Sequence, residues 1–262
     1  ESARRSACVN NLKQLGLVLA LYANENRDAY PPVDNQQHNW MFDGHAVYPE
    51  YLTDVEILAC PSDPQYAPQI NFRLTQNVTL SDNSYGDIPT AFLADTPHPN
   101  CISPMSYVYT GWMVMNDSEN IAGLSIYTWV DTLLPISHWQ TDGWRNTTST
   151  VASFGFSGSG NAGGANINRL STGVDRFLIS DINVILTGKE IGPAVVPVMW
   201  DQISTLITQF SHVPAGQNVL YLDGHVEFHR YEKTSTQYPY SPMYAAINGG
   251  VTPVYAQYCP QP

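Results

Sequence analysis

Charge is scarce in this 262-residue chain: Asp, Glu, Lys and Arg together make up 13% of it. Soluble domains ordinarily carry about 25%. Positive charge is scarcer still, with 11 Lys and Arg against 23 Asp and Glu and a net charge of −12. Nucleic-acid binding needs a basic footprint, so that class of partner is excluded. Long hydrophobic runs are missing too. No stretch of about 18 apolar residues occurs, so no segment of the sequence reads as a membrane span. Neither a signal peptide nor an initiating Met is present. No two cysteines form a CxxC pair, which argues against a zinc cluster. The sequence also lacks GxSxG, a Walker loop and a GxGxxG after a strand. Gly155-Phe156-Ser157-Gly158 has the wrong spacing for a nucleophile elbow. No enzyme activity is expected.

What fills the gap is polar and uncharged. Tyr (16), Gly (18) and Pro (19) are abundant, as are Asn, Ser and Thr. Such a loop-rich surface suits an exported or cell-surface protein. The clearest element is at the start. Cys8, Leu12, Leu15, Leu19 and Tyr22 recur in steps of four and three, which places them on one helix face. Val9, Gly16, Leu17, Val18 and Leu21 widen that stripe. The turn-like Asn24–Asp28 run and Pro31-Pro32 stop it. About 26 residues of helix make a rod of roughly 39 Å. No capping residue precedes Glu1, so the helix is expected to continue one that begins upstream.

Beyond it, Trp40 to Cys60 reads as a loop with a helical turn. Residues 65–100 read as a long loop, and Ser106–Met115 as a strand. Ser157–Gly164 is a linker-like break, and Leu124–Leu134 is ambiguous. Phe177–Ser180 and Val195–Trp200 read as short buried strands, followed by a helix or turn over Asp201–Phe210. Asn218–Leu222 and His225–Tyr231, joined by Asp223-Gly224, predict a β-hairpin with a type I′ turn. A Pro- and Tyr-rich tail, 232–262, is expected to wrap the surface. The pattern is α+β, a long N-terminal helix packed on an antiparallel sheet with large loop-rich insertions. Four cysteines, Cys8, Cys60, Cys101 and Cys259, are either disulfides or buried thiols.

Ala3-Arg4-Arg5, Cys8, Asn10-Asn11-Leu12-Lys13-Gln14-Leu15-Gly16-Leu17, Tyr22 and Asn26 carry a resemblance. So does His212-Val213-Pro214-Ala215-Gly216-Gln217-Asn218-Val219-Leu220-Tyr221-Leu222-Asp223-Gly224-His225-Val226-Glu227-Phe228. The chain resembles type IV pilin-like and type II secretion pseudopilin-like proteins of bacteria. It is most similar to the group with a prepilin-type cleavage and methylation signal and a C-terminal H-x9-DG motif. The likeness covers about residues 1–64 and 174–231. Ten residues rather than nine separate His212 from Asp223-Gly224, a departure that bears on the role of His212.

The resemblance implies that residues 1–30 are the C-terminal half of a pilin spine helix. Residues 31–262 would be a head, with a variable insertion at about 65–170, a sheet and hairpin at 174–231, and the tail. It implies a Cys8–Cys60 disulfide, through the shared Leu58-Ala59-Cys60-Pro61-Ser62-Asp63-Pro64 stretch, and with it a Cys101–Cys259 pair. It implies a filament subunit of the bacterial cell envelope. Its partners would be copies of itself or other pilin-like subunits. The inner membrane, reached through a missing helix, and a prepilin peptidase acting on the precursor complete the list. Calcium is the implied metal, since major pseudopilins use it to hold a C-terminal loop.

Two sets of residues are candidates for a site. Asp181, Asp201, His212 and Asp223, with His225 nearby, could meet a hard cation at strand ends. A zinc site is less expected, because the spacing matches no HExxH pattern. Purely structural roles compete: Asp223 as a turn residue, His212 as a hydrogen-bond partner of the hairpin, Asp201 as a helix cap. Trp112 and Trp144, with Trp129 and Trp139, could instead stack sugars, which would make the protein a cell-surface glycan binder on a pilin-like anchor. Packing in a core or fibre contact is the competing role for these rings.

Overall fold

The computed structural model describes residues 1–34, 40–64, 66, 71–73, 78–79, 91–92, 96–123, 144–145, 167–174, 192–203, 211–212, 216–232, 234–235 and 237–247. Helix α1 spans Ser2–Glu25, 24 residues, which is roughly 36 Å. It ends before the prolines are reached. Asn26 donates its side-chain amide to Tyr22 O at 2.8 Å, and Arg27 and Asp28 adopt left-handed φ of 55° and 65°. Asn and Asp tolerate such turns, so this run, not Pro31-Pro32, terminates the helix.

Among the described residues eight short strands follow: β1 (Val78–Thr79), β2 (Ala91–Phe92), β3 (Tyr107–Tyr109), β4 (Trp144–Arg145), β5 (Ile167–Asn168), β6 (Pro197–Asp201), β7 (Gly216–Tyr221) and β8 (Val226–Arg230). Strands β3, β6, β7 and β8 pair in that order in one antiparallel sheet, while β1–β2 and β4–β5 are two-stranded ribbons. The architecture is therefore mixed helix and antiparallel sheet. Strand β3 comes from within the stretch expected to be a variable insertion. The strand expected over Ser106–Met115 is only three residues long, because Gly111 takes a φ of 70° and Trp112 bridges to Arg169 instead.

The core lies on both faces of the sheet. On one face Cys8, Leu12, Leu15 and Leu19 of α1 are fully buried. A Cβ on Gly16 would sit 3.2 Å from Leu220 Cδ1, so helix and sheet touch closely here. Tyr22 is half-buried, edge-on to Tyr51 at 5.3 Å. On the other face Trp200 donates from Nε1 to Tyr244 OH at 2.8 Å and packs edge-on against Tyr238. The described part of the tail, with a helix at Pro242–Ile247, thus fills the core instead of wrapping the outside. Its tyrosines supply a second apolar layer that strands buried on both faces require.

The hairpin forms as the sequence predicts, with a different turn. Leu220 pairs with Val226 and Gly224 N donates to Tyr221 O at 2.9 Å. Gly224 has a φ of 87°, and Asp223 is not among the residues with positive φ. This is a three-residue loop, a turn followed by a left-handed Gly, where a type I′ turn needs two positive φ values. Between α1 and β3 the expected helical turn is present as α2 (Gly44–Val47) and a 3-10 turn at Val55–Leu58. Phe177–Ser180 and the expected helix over Asp201–Phe210, beyond Ile203, lie outside the described residues.

Candidate functional site

A polar cluster, buried except at Glu1, sits where the start of α1 meets the sheet. Its members come from five places: Glu1 just before α1 with Cys8 on it, Cys60 to Asp63 after the 3-10 turn, Ser106 before β3, Asp201 at the end of β6, and His212 with Asn218 around β7. Each is held there by local structure. Cys8 and Cys60 are joined by a disulfide. His212 forms a bridge to Gly216, at the start of β7. Asp201 ends a strand whose other residues are apolar and buried.

His212 is 2% exposed and Asp201 is fully buried. His212 Nε2 lies 3.0 Å from Asp201 Oδ2, and Nδ1 lies 3.0 Å from Glu1 Oε1. Both ring nitrogens therefore face carboxylates and can donate to them. Asp201 Oδ2 also accepts from Asn218 N at 2.7 Å and Asn218 Nδ2 at 2.6 Å. Asp201 Oδ1 and Asn218 Oδ1 have no hydrogen-bond partner. Nearby, Cys60 N donates to Ser106 Oγ at 2.9 Å, which donates to Asp63 Oδ2 at 2.8 Å. Cys60 Sγ is 3.6 Å from His212 Nε2.

Burial is the largest influence on His212 and opposes its charge. Hydrogen bonds and charges from Asp201 and Glu1 together outweigh it, leaving the pKa above the ordinary 6.5. The hydrogen bond from His212 holds Glu1 below its ordinary 4.5, against a smaller effect of burial. The arrangement favours an imidazolium clamped between two carboxylates. It holds three chain segments together.

The residues expected to hold a cation do not all converge. Asp201 and His212 meet. Asp223 lies in the hairpin loop beyond the far end of β7 from Asn218; its Oδ1 accepts from His225 N at 3.0 Å and contacts His225 Nδ1 at 2.5 Å. Asp181 lies outside the described residues. Asp201 receives the Asn218 amides; the helix it was expected to cap lies outside the described residues beyond Ile203. Calcium takes six to eight oxygens, and the groups around His212 are its imidazole, two sulfurs and the carboxylates of Asp201 and Glu1, on opposite ring nitrogens, so the fit is poor. His225 instead stacks on Tyr221 at 4.5 Å and His229 on Tyr240 at 4.1 Å.

The aromatic site fares differently. Trp112 is 1% exposed and belongs to the core, so its ring offers no face to a sugar. The backbone of Trp144 lies in β4; its side chain, and Trp129 and Trp139, fall outside the described residues. Among the cysteines, the Cys8–Cys60 bond is as the resemblance implies. Cys101 is disulfide-bonded as well, and its expected partner Cys259 lies outside the described residues.

Glu1, Asn218, Asp63 and Ser106 were not singled out by sequence reasoning. The available signal for Asp201 was polarity in an otherwise apolar strand, and for Asn218 the Gln217-Asn218 pair leading an apolar run. Glu1 gave none, since an acidic residue at a helix start is ordinary. Compared with models of known families, with curated proteins and with solved structures, the chain matches none.

Proposed function

We propose that this chain is the head-bearing portion of a type IV pilus-like or type II secretion pseudopilus-like filament subunit in a bacterial cell envelope. Its work is assembly with copies of itself or with other pilin-like subunits. The observation that carries the reading is the two-sided character of α1. One side is sealed against the subunit's own sheet through Cys8, Leu12, Leu15 and Leu19, and stapled there by the disulfide. The other side leaves Leu17 and Leu21 exposed by 66% and 54%. They are four residues apart and so neighbours on one face. Beside them a cavity of about 190 Å³ opens, lined by Lys13, Gly16, Leu17, Ala20, Leu220 and Asp223. An apolar helix row next to a pocket suits the side of a neighbouring helix. The order of elements, a long helix followed by an antiparallel sheet, agrees with a spine carrying a head.

The test uses the whole encoded protein in its host, with Leu17→Glu and Leu21→Glu variants. Filament or membrane-assembly fractions are probed for the subunit. Both variants should fold as well as the parent and fail to assemble. Normal assembly of both would overturn the reading. The glycan-binding alternative loses its main support with the burial of Trp112.

A further inference from the structure

The disulfide and His212 bring together three side chains that are suited to a second kind of crosslink. Cys8 Sγ, Cys60 Sγ and a ring nitrogen of His212 all lie within 4.8 Å of one another, and all three residues are buried. Donors bound tetrahedrally to one zinc-sized ion, at ~2.3 Å for sulfur and ~2.0 Å for nitrogen, sit roughly 3.5–3.8 Å apart. Small side-chain rotations would bring these three to that spacing once the sulfur–sulfur bond is open. Among the described residues no other set of His, Cys, Asp and Glu converges in this way.

Two further observations point to a ligand at this place. Asp201, fully buried, has Oδ2 3.0 Å from His212 Nε2, while Oδ1 has no partner. Its carboxylate borders the group of three through His212 without belonging to it, and a side-chain rotation toward the sulfurs would make it the fourth donor. Glu1 contacts the opposite ring nitrogen, Nδ1, at 3.0 Å. A carboxylate on one imidazole nitrogen orients the ring and leaves the other to a metal.

We propose that the Cys8–Cys60 pair alternates between a disulfide and a metal centre, in which two thiolates, His212 Nε2 and Asp201 hold one soft divalent cation of the zinc class. A dithiol reductant opens the bond, giving two electrons and two protons and becoming a disulfide itself. Each cysteine thiol then loses its proton as its sulfur binds the cation. The ion replaces the proton that His212 Nε2 directs at Asp201. Thiolate and imidazole donors select zinc over calcium or magnesium. The disulfide ties α1 to the segment ending at Cys60; the metal ties the His212 segment to both. The head thereby has a staple before oxidation and another after it.

The test is cobalt binding to the full chain, unfolded and reduced with a phosphine, then refolded without oxygen. Cobalt(II) is the spectroscopic probe and zinc the competitor. The expected result is one cobalt per chain, with sulfur-to-cobalt charge-transfer and tetrahedral ligand-field bands that zinc abolishes. Near-ultraviolet circular dichroism should match the oxidised protein. Oxidised protein should give no bands. Reduced Cys8→Ser, which keeps Cys101 and Cys259, should lose them. Glu1→Gln should weaken binding by about tenfold, and His212→Asn by more. Persistence of the bands in Cys8→Ser, or equal affinity in His212→Asn, would overturn the proposal. So would reduced protein that refolds without taking up metal, or that stays unfolded with and without it.

Discussion

At the residue scale the decisive pair is His212 and Asp201. Truncating one partner of a buried ion pair strands the other charge. His212→Ala is therefore expected to lower stability by about 2–4 kcal/mol, below the top of the usual range because the Asn218 amides still serve Asp201. In the Asp201→Asn background the same change should cost much less, and urea unfolding of the double-mutant cycle checks it. The pair also sets a pH dependence. The pKa of His212 is raised in the fold, so its contribution is complete below the unfolded value near 6.5 and fades as pH rises through the folded one. The pKa of Glu1 is lowered, so its contribution is present above the unfolded value near 4.5 and fades as pH falls through the folded one. The cluster is strongest between those two values. Melting curves across pH should show the alkaline loss in the parent and a flatter alkaline limb in His212→Gln.

At the scale of elements, α1 has two unlike faces, and substitutions should separate them. Leu12 is fully buried, so Leu12→Ala should cost about 2–5 kcal/mol. Leu17 is exposed, so Leu17→Ala should change stability by no more than about 0.5 kcal/mol in the isolated chain. The amphipathic period told which residues share a face. It could not say that, of the residues widening the stripe, Val18 would be buried while Leu17 and Leu21 stay uncovered, because that depends on how much sheet lies beneath. Two glycines offer a similar contrast. Gly224 has a φ of 87° with open space around it, so Ala there should cost about 1 kcal/mol. A Cβ on Gly44 would meet Pro99 O at 2.3 Å, a backbone atom that cannot swing aside, so Gly44→Ala should be the more damaging in thermal unfolding. The hairpin turn was legible as Asp-Gly, and its length was not. Register across β7 and β8 decided that, by pairing Leu220 with Val226.

For the whole molecule, the Cys8–Cys60 bond closes a sequence separation of 52 residues. Loop-closure entropy puts its loss at about 4 kcal/mol, and measured values commonly fall between 2 and 4. Cys60→Ser should lower the urea midpoint accordingly, with added zinc giving no recovery. Much of the architecture could be read in advance. Cys8, Leu12, Leu15 and Leu19 announced the helix face, and the alternation around Asp223-Gly224 announced the hairpin. These are local periodicities, dictated by 3.6 residues per turn and two per pleat. Tertiary structure alone decided the rest. Trp112 had two competing roles, sugar stacking or packing, and it is buried in the core. Tyr238 and Tyr244 looked like surface tail and cover Trp200. Asp201 and His212 were chosen together with Asp223, yet Asp223 lies in the hairpin loop beyond the opposite end of strand β7. The partners they do have, Glu1, Asn218 and the two sulfurs, come from points up to 211 residues apart in the chain. No local pattern records which distant side chains a fold brings to one another, because that proximity is set by how helix and strands pack over a shared core.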